Sequence, residues 1–166
     1  MQSSSARTLR GLSIAIIVVS IIAALSCLIV GIATGGVGVI ASDPDLQASV
    51  SADIDPGTSA QLDEYGLTTE DAVGLTGAFM LLGGLGMVVA GIFSLVDLIA
   101  GIMGLRGGKN AAKAGVAMVW MIVGAVAAVP AMNIVLFILC IVGAVYANKV
   151  KKEGAANFVP YGTPQQ

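Results

Sequence analysis

The sequence lacks the residues on which most catalytic and metal sites depend. It has no histidine and two cysteines, Cys27 and Cys140, in 166 residues. The commonest metal ligand and the usual neutral-pH proton carrier are therefore absent, and two cysteines cannot build a disulfide framework. Charged residues make up only 11% of the chain, and the net charge is −2. This composition excludes a disordered chain and a nucleic-acid-binding surface.

Apolar residues are abundant, at 57% of the chain, and they lie in long blocks. The first, Gly11 to Ser42, would form a helix of about 48 Å, longer than the ~30 Å core of a bilayer. The second, Ala72 to Leu105, is interrupted only by Asp97. The third, Ala114 to Asn148, has Pro130 near its middle, which predicts a tight hairpin of two helices with Pro130 at the start of the second.

These blocks predict an all-α membrane protein, a bundle of four transmembrane helices. The first helix is expected to end in an interfacial extension weakened by paired glycines, because glycine lowers helix propensity. The expected segments are an N-terminus (1–10), helix one with its extension (11–41), an acidic loop (42–71), helix two (72–105), a basic loop (106–111), helix three (112–129), a short turn (130–133), helix four (131–148) and a basic, flexible tail (149–166).

The charges are divided between these segments by sign. The acidic residues between helices one and two are Asp43, Asp45, Asp53, Asp55, Asp63, Glu64, Glu70 and Asp71. The basic residues adjoin the other helix ends: Arg7, Arg10, Arg106, Lys109, Lys113, Lys149, Lys151 and Lys152. The positive-inside rule then predicts a multi-pass protein of the cell membrane, with both termini cytoplasmic and the acidic loop outside.

A cleaved signal peptide is the alternative for the first block, because Arg7 and Arg10 precede it and the sequence before Cys27 is similar to a lipoprotein processing box. The apolar run continues from Leu28 to Ile32, which favours a retained helix.

Asp97 is the only ionisable residue well inside an apolar block. A carboxylate in hydrocarbon costs about 2.5 kcal/mol or more on insertion scales, so it is expected to face the other helices. Arg10 and Lys113 are the expected partners. Asp97 is then either a structural group that orients helix two or a carboxylate that couples to a proton or cation.

Small residues recur every four positions on two helices and predict close helix packing, within one chain or between two copies. Helix one carries Ala23, Cys27, Gly31 and Gly35, and helix two carries Gly86, Ala90 and Ser94.

The acidic loop is expected to be solvated. Asp43-Pro44 and Asp55-Pro56-Gly57 are typical of turns, and Thr68 to Asp71 is typical of an acidic helix cap. Asp53, Asp55 and Glu64 match positions 1, 3 and 12 of an EF-hand calcium loop, but Gly57 and Thr58 at positions 5 and 6 depart from that pattern, so no specific metal site is expected.

The stretch from Ser94 to Gly107, followed by Lys109, Asn110 and Lys113, resembles a recurring segment of small uncharacterised four-helix bacterial membrane proteins. The topology is also loosely similar to that of claudin-type tetraspans. The first resemblance implies a bacterial inner-membrane location and no particular activity.

No set of side chains converges on a catalytic constellation, and a lone acid cannot supply paired acid and base catalysis. We therefore expect no enzyme and no cofactor. The expected function is a non-enzymatic interaction or scaffold protein in the lipid bilayer, with a protein partner or a second copy as its candidate partners and no nucleic acid. The alternative is a small proton- or cation-coupled transporter or channel that uses Asp97.

Overall fold

The computed structural model describes residues 3–156, and this part of the chain is helical with no strand. The all-α prediction is confirmed. The elements are α1 (Ser4–Ala41), α2 (Pro44–Ala52), α3 (Pro56–Glu64), α4 (Thr69–Lys109), a short 3-10 helix (Ala111–Lys113), α5 (Ala114–Ala128) and α6 (Ile134–Ala156).

In the described part of the chain, four helical stretches are long and apolar enough to cross a membrane: α1, α4, the stretch Ala111–Ala128 and α6. With 38 and 41 residues, α1 and α4 are about 57 and 62 Å long, roughly twice the thickness of a bilayer core. The expected weakened extension of the first helix is instead regular helix as far as Ala41. Gly31, Gly35 and Gly38 pack against α4, and this packing offsets their low helix propensity.

The two Asp-Pro pairs begin helices rather than isolated turns. Asp43 caps α2 by accepting a hydrogen bond from the Asp45 backbone N–H at 3.0 Å, and Pro44 is the first helical residue. Asp55 and Pro56 do the same for α3, where Asp55 accepts from the Gly57 N–H at 3.0 Å. Proline is favoured at the first helical position because that N–H has no partner within the helix.

A reciprocal cap starts α4. The Asp71 N–H donates to Thr68 Oγ1 at 3.1 Å, while the Thr68 backbone N–H donates to Asp71 Oδ2 at 3.2 Å. This arrangement is a capping box with aspartate in place of glutamate. It starts the helix at Thr69 rather than at the expected residue 72.

The connection between α5 and α6 is a tight turn, but Pro130 does not start α6. The Met132 N–H donates to Val129 O at 3.0 Å, the Asn133 N–H donates to Ala128 O at 3.1 Å, and Met132 has a φ of 49°. This pattern is a Schellman motif, which terminates α5. Asn133 then caps α6 by accepting from the Leu136 N–H at 3.1 Å, so α6 begins three residues later than expected.

The C-terminal end of α6 extends past the predicted boundary at residue 148 to Ala156. Val150 is buried, and the Ser5 hydroxyl donates to Glu153 Oε1 at 2.6 Å. Because of these contacts, the first part of the expected flexible tail, residues 149–156, is helical. Residues 157–166 of that tail lie outside the described residues.

The chain divides into two compact units. The hairpin unit comprises the start of α1 (described from residue 3 to 24), the later part of α4 from residue 90, and α5 and α6. The acidic unit comprises residues 25–89. In the hairpin unit, α1 buries one face at three- and four-residue intervals, through Ala6, Leu9, Ser13, Ile16, Ser20 and Ala24. This face packs with a core formed chiefly by Met121, Leu136 and Cys140.

Candidate functional site

Asp97 of α4 is fully buried in the hairpin unit, at 0% exposure. The Cys140 thiol of α6 donates to Asp97 Oδ1 across 4.0 Å. A Cβ added to Gly124 of α5 would lie 3.0 Å from Asp97 Oδ1 and 3.1 Å from Cys140 Sγ. The absent side chain at Gly124 therefore lets the α5 backbone lie directly against the carboxylate and the thiol, and three helices meet there.

Two buried oxygen atoms near this point have no hydrogen-bond partner among the described residues, Asp97 Oδ2 and Ser20 Oγ. The antiparallel register of α1 and α4 relates them. Gly104 packs against Ser13, and Gly101 packs against Ile17, so one further turn of each helix brings Ser20 to the level of Asp97. Buried polar groups are nearly always hydrogen-bonded. Two buried oxygen atoms without a partner at the same level of the bundle therefore make this position a candidate site.

The expected partners of Asp97 lie elsewhere. The Arg10 stem packs beside Gly108, about 16 Å from Asp97 along the axis of α4. Lys113 ends the 3-10 helix and is exposed. Among residues 3–156 the structure therefore brings Asp97 to Cys140 and Gly124, not to a basic side chain. Both cysteines are free thiols; Cys140 is buried, and Cys27 is half-buried.

Two members of the small-residue stripe of α1, Gly31 and Gly35, contact Gly84 of α4 in the acidic unit. Further along, Gly38 meets Leu81, and Gly77 meets Ala41.

Within one chain Gly86 makes no close helix contact, because a Cβ added there meets nothing within 4 Å; packing between two copies through this position stays a prediction. Gly86 is two residues from Gly84 and therefore points about 200° away around the helix. In the remainder of the two predicted stripes, Ala23 and Ala90 are half-buried, while Ser94 is buried and donates to the Ala90 carbonyl at 3.1 Å.

The acidic unit also contains an apolar cavity of about 500 Å³. It lies among the end of α1, the helices α2 and α3 and the beginning of α4, with Ile40, Val50, Leu62 and Met80 among its lining residues. Neither α2 nor α3 has a buried residue, and all eight acidic side chains of the segment 42–71 are exposed.

Sequence reasoning identified Asp97 but missed its surroundings. Ser13 and Ser20 are seven residues apart, as are Gly77 and Gly84, and a seven-residue spacing marks one helix face. That spacing could have identified Ser20 and Gly84.

Among residues 3–156, no group of three or more His, Cys, Asp or Glu side chains could hold a metal ion. Comparison of the chain with family models, curated proteins and solved structures gave no match.

Proposed function

We propose that the protein crosses the cell membrane four times and acts there as a non-enzymatic interaction or scaffold protein. Large apolar side chains are exposed along all four long helices, for example Ile29, Leu82, Val126 and Ile138. Exposed apolar surface on this scale is costly in water and favourable in lipid. A bilayer is therefore the environment that this surface fits.

The orientation rests on the basic residues, which gather at one end of the hairpin unit. The start of α1 meets the end of α6 through the Ser5–Glu153 hydrogen bond. Arg10 lies beside Gly108, and Ala111 lies beside Gly154. The positive-inside rule assigns this end to the cytoplasm, and a single crossing of α1 then carries the acidic segment to the outside.

The observation that carries the interaction function is the folding of the acidic segment. It forms two helices, each with its own aspartate cap, and every one of its carboxylates is exposed. A folded surface that carries a single charge sign favours rapid and selective association with a partner of opposite charge. The proposed partner surface is therefore basic.

Site-specific crosslinking in native membranes tests this function. A photoreactive residue at Ser59 on α3 should trap a discrete partner, and simultaneous replacement of Asp63 and Glu64 by their amides should weaken the trapping. A photoreactive residue at Val126, an exposed apolar position of α5, is the matched control and should give only lipid adducts. If no position between residues 42 and 71 traps a protein, the interaction function is refuted.

One observation favours a second candidate, a proton- or cation-coupled transporter. Asp97 Oδ2 and the Ser20 hydroxyl have no hydrogen-bond partner among the described residues. These two oxygen atoms, buried between the helices, could bind a proton or a small cation. If this function operates, liposomes that contain the native protein should show cation or proton flux, and Asp97→Asn should abolish it. Equal flux from the two proteins, or none from either, would eliminate this candidate.

A further inference from the structure

The apolar cavity of the acidic unit has the dimensions of a ligand site. Its volume of about 500 Å³ falls within the range of roughly 300–1,000 Å³ that is typical of small-molecule sites. Apolar side chains form most of the lining, and the hydroxyl-bearing residues Thr58 and Thr76 are the polar exceptions. A strongly hydrated ligand such as a sugar or a bare metal ion would find too few hydrogen-bonding groups there.

Exposed carboxylates lie next in sequence to lining residues on the segments that follow α1, from α2 to the beginning of α4. The neighbouring pairs are Asp45 with Leu46, Asp53 with Ile54, Asp63 with Leu62, and Asp71 with Ala72. No basic residue occurs anywhere between Arg10 and Arg106, so nothing in the acidic unit offsets these charges. The cavity therefore attracts a cation and repels an anion such as a fatty acid.

We propose that this cavity binds a lipophilic cation, a small molecule with an apolar body and one amine or quaternary ammonium group. The apolar body fills the space beside Val50 and Met80, and the cationic group lies at the opening beside the carboxylates of Asp45 and Asp63. The proposal goes beyond the interaction function and does not depend on it, because it requires neither a protein partner nor a particular orientation in the membrane.

Three small molecules test the proposal: octyltrimethylammonium, octanol and octyl sulfate. They share an eight-carbon alkyl group and differ in the charge of the head group. Each is titrated by calorimetry into the full-length protein in phosphatidylcholine nanodiscs, and empty nanodiscs provide the correction for partition into lipid. The cation should bind saturably and at least about fivefold more tightly than octanol, as expected for one charge contact near a surface, while octyl sulfate should not bind. Added salt should weaken the binding of the cation and leave the binding of octanol unchanged, because salt screens the interaction between exposed charges.

A cavity-filling variant locates the binding. Val50→Trp should abolish saturable binding of octyltrimethylammonium, whereas Val126→Trp, at an exposed apolar position of the hairpin unit, should leave it unchanged. Circular dichroism of each variant checks that it keeps its helical content.

A charge variant gives a test that does not depend on the tryptophan variant folding. Asp45→Asn together with Asp63→Asn should weaken binding of the cation at least about fivefold. Glu64→Gln together with Glu70→Gln removes the same net charge at positions not adjacent to a lining residue, and it should weaken binding less.

Three results would each overturn the proposal: octyl sulfate that binds as tightly as the cation, binding no stronger than partition into empty nanodiscs, or saturable binding that survives in a folded Val50→Trp variant. Because the crosslinking at Ser59 measures trapping of a protein rather than binding of a small molecule, failure of this proposal and failure of the interaction function are distinguishable.

Discussion

Replacing Gly84 by alanine should destabilise the acidic unit, because the helix contact there leaves no room for a methyl group. The added Cβ would lie 2.5 Å from both the Cα and the N of Gly35 and 2.8 Å from the Gly31 carbonyl oxygen. These are backbone atoms, so relief requires α1 and α4 to move apart rather than a side chain to rotate. Overpacking of this kind costs about 1–3 kcal/mol, and separation of the helices also loses the close contacts that stabilise them.

The matched control is Gly86→Ala, two residues away in the same helix, where the added Cβ meets nothing within 4 Å. Both variants exchange glycine for alanine inside α4, so the gain in helix propensity cancels in the comparison. The free energy of unfolding is measured by circular dichroism during reversible unfolding in sodium dodecyl sulfate. We expect Gly84→Ala to be less stable than Gly86→Ala by about 1–3 kcal/mol. Equal stability of the two variants would refute the close approach at Gly84.

Three further predictions use the same unfolding measurement. Gly124→Ala should be less stable than Gly115→Ala by about 1 kcal/mol, because its Cβ would lie 3.0 Å from Asp97 Oδ1 and 3.1 Å from Cys140 Sγ, whereas the Cβ at Gly115 meets only the Lys151 side chain at 3.7 Å or more. Met132→Gly should stabilise it by about 0.5–1 kcal/mol, since the positive φ of Met132 suits glycine, whereas the β-branched Met132→Val should destabilise it. Thr68→Ala removes the cap of α4 and should cost about 1 kcal/mol, while Thr69→Ala should cost less. If the two variants compared at a site were equally stable, the contact or cap proposed for that site would be contradicted.

The long helices could be predicted from the sequence, because a long apolar run that crosses a bilayer must pair its own backbone polar groups, and a helix does so within a single segment. Their ends were less predictable, because local capping decides them. Asp43, Asp55, Thr68 and Asn133 each supply a side-chain oxygen to a free N–H, and composition alone does not show which polar residue will do so. Pro130 illustrates the difficulty: it is compatible with a helix start, but the Schellman turn that follows it places the start at Ile134.

The surroundings of Asp97 were not predictable from one sequence, because they depend on the register of the helices. The charge of Arg10 made it the natural partner, but its place on α1 is level with Gly108. Cys140 and Gly124 come from the hairpin of α5 and α6, whose length fixes which residues face the carboxylate. The glycine contacts show the same limit, since a choice between Gly84 and Gly86 requires the rotation of α4 about its own axis.

The topology of the chain is the central claim, and accessibility of single cysteines tests it most directly. Two cysteines are introduced separately into a protein whose Cys27 and Cys140 are replaced by serine. One is Ser59→Cys, at a half-buried position of α3, and the other is Ala155→Cys, at an exposed position near the end of α6. In intact cells, a membrane-impermeant thiol reagent should label Ser59→Cys at once and Ala155→Cys only after permeabilisation. Labelling of both from the outside of intact cells, or of Ala155→Cys alone, would contradict four crossings with cytoplasmic termini.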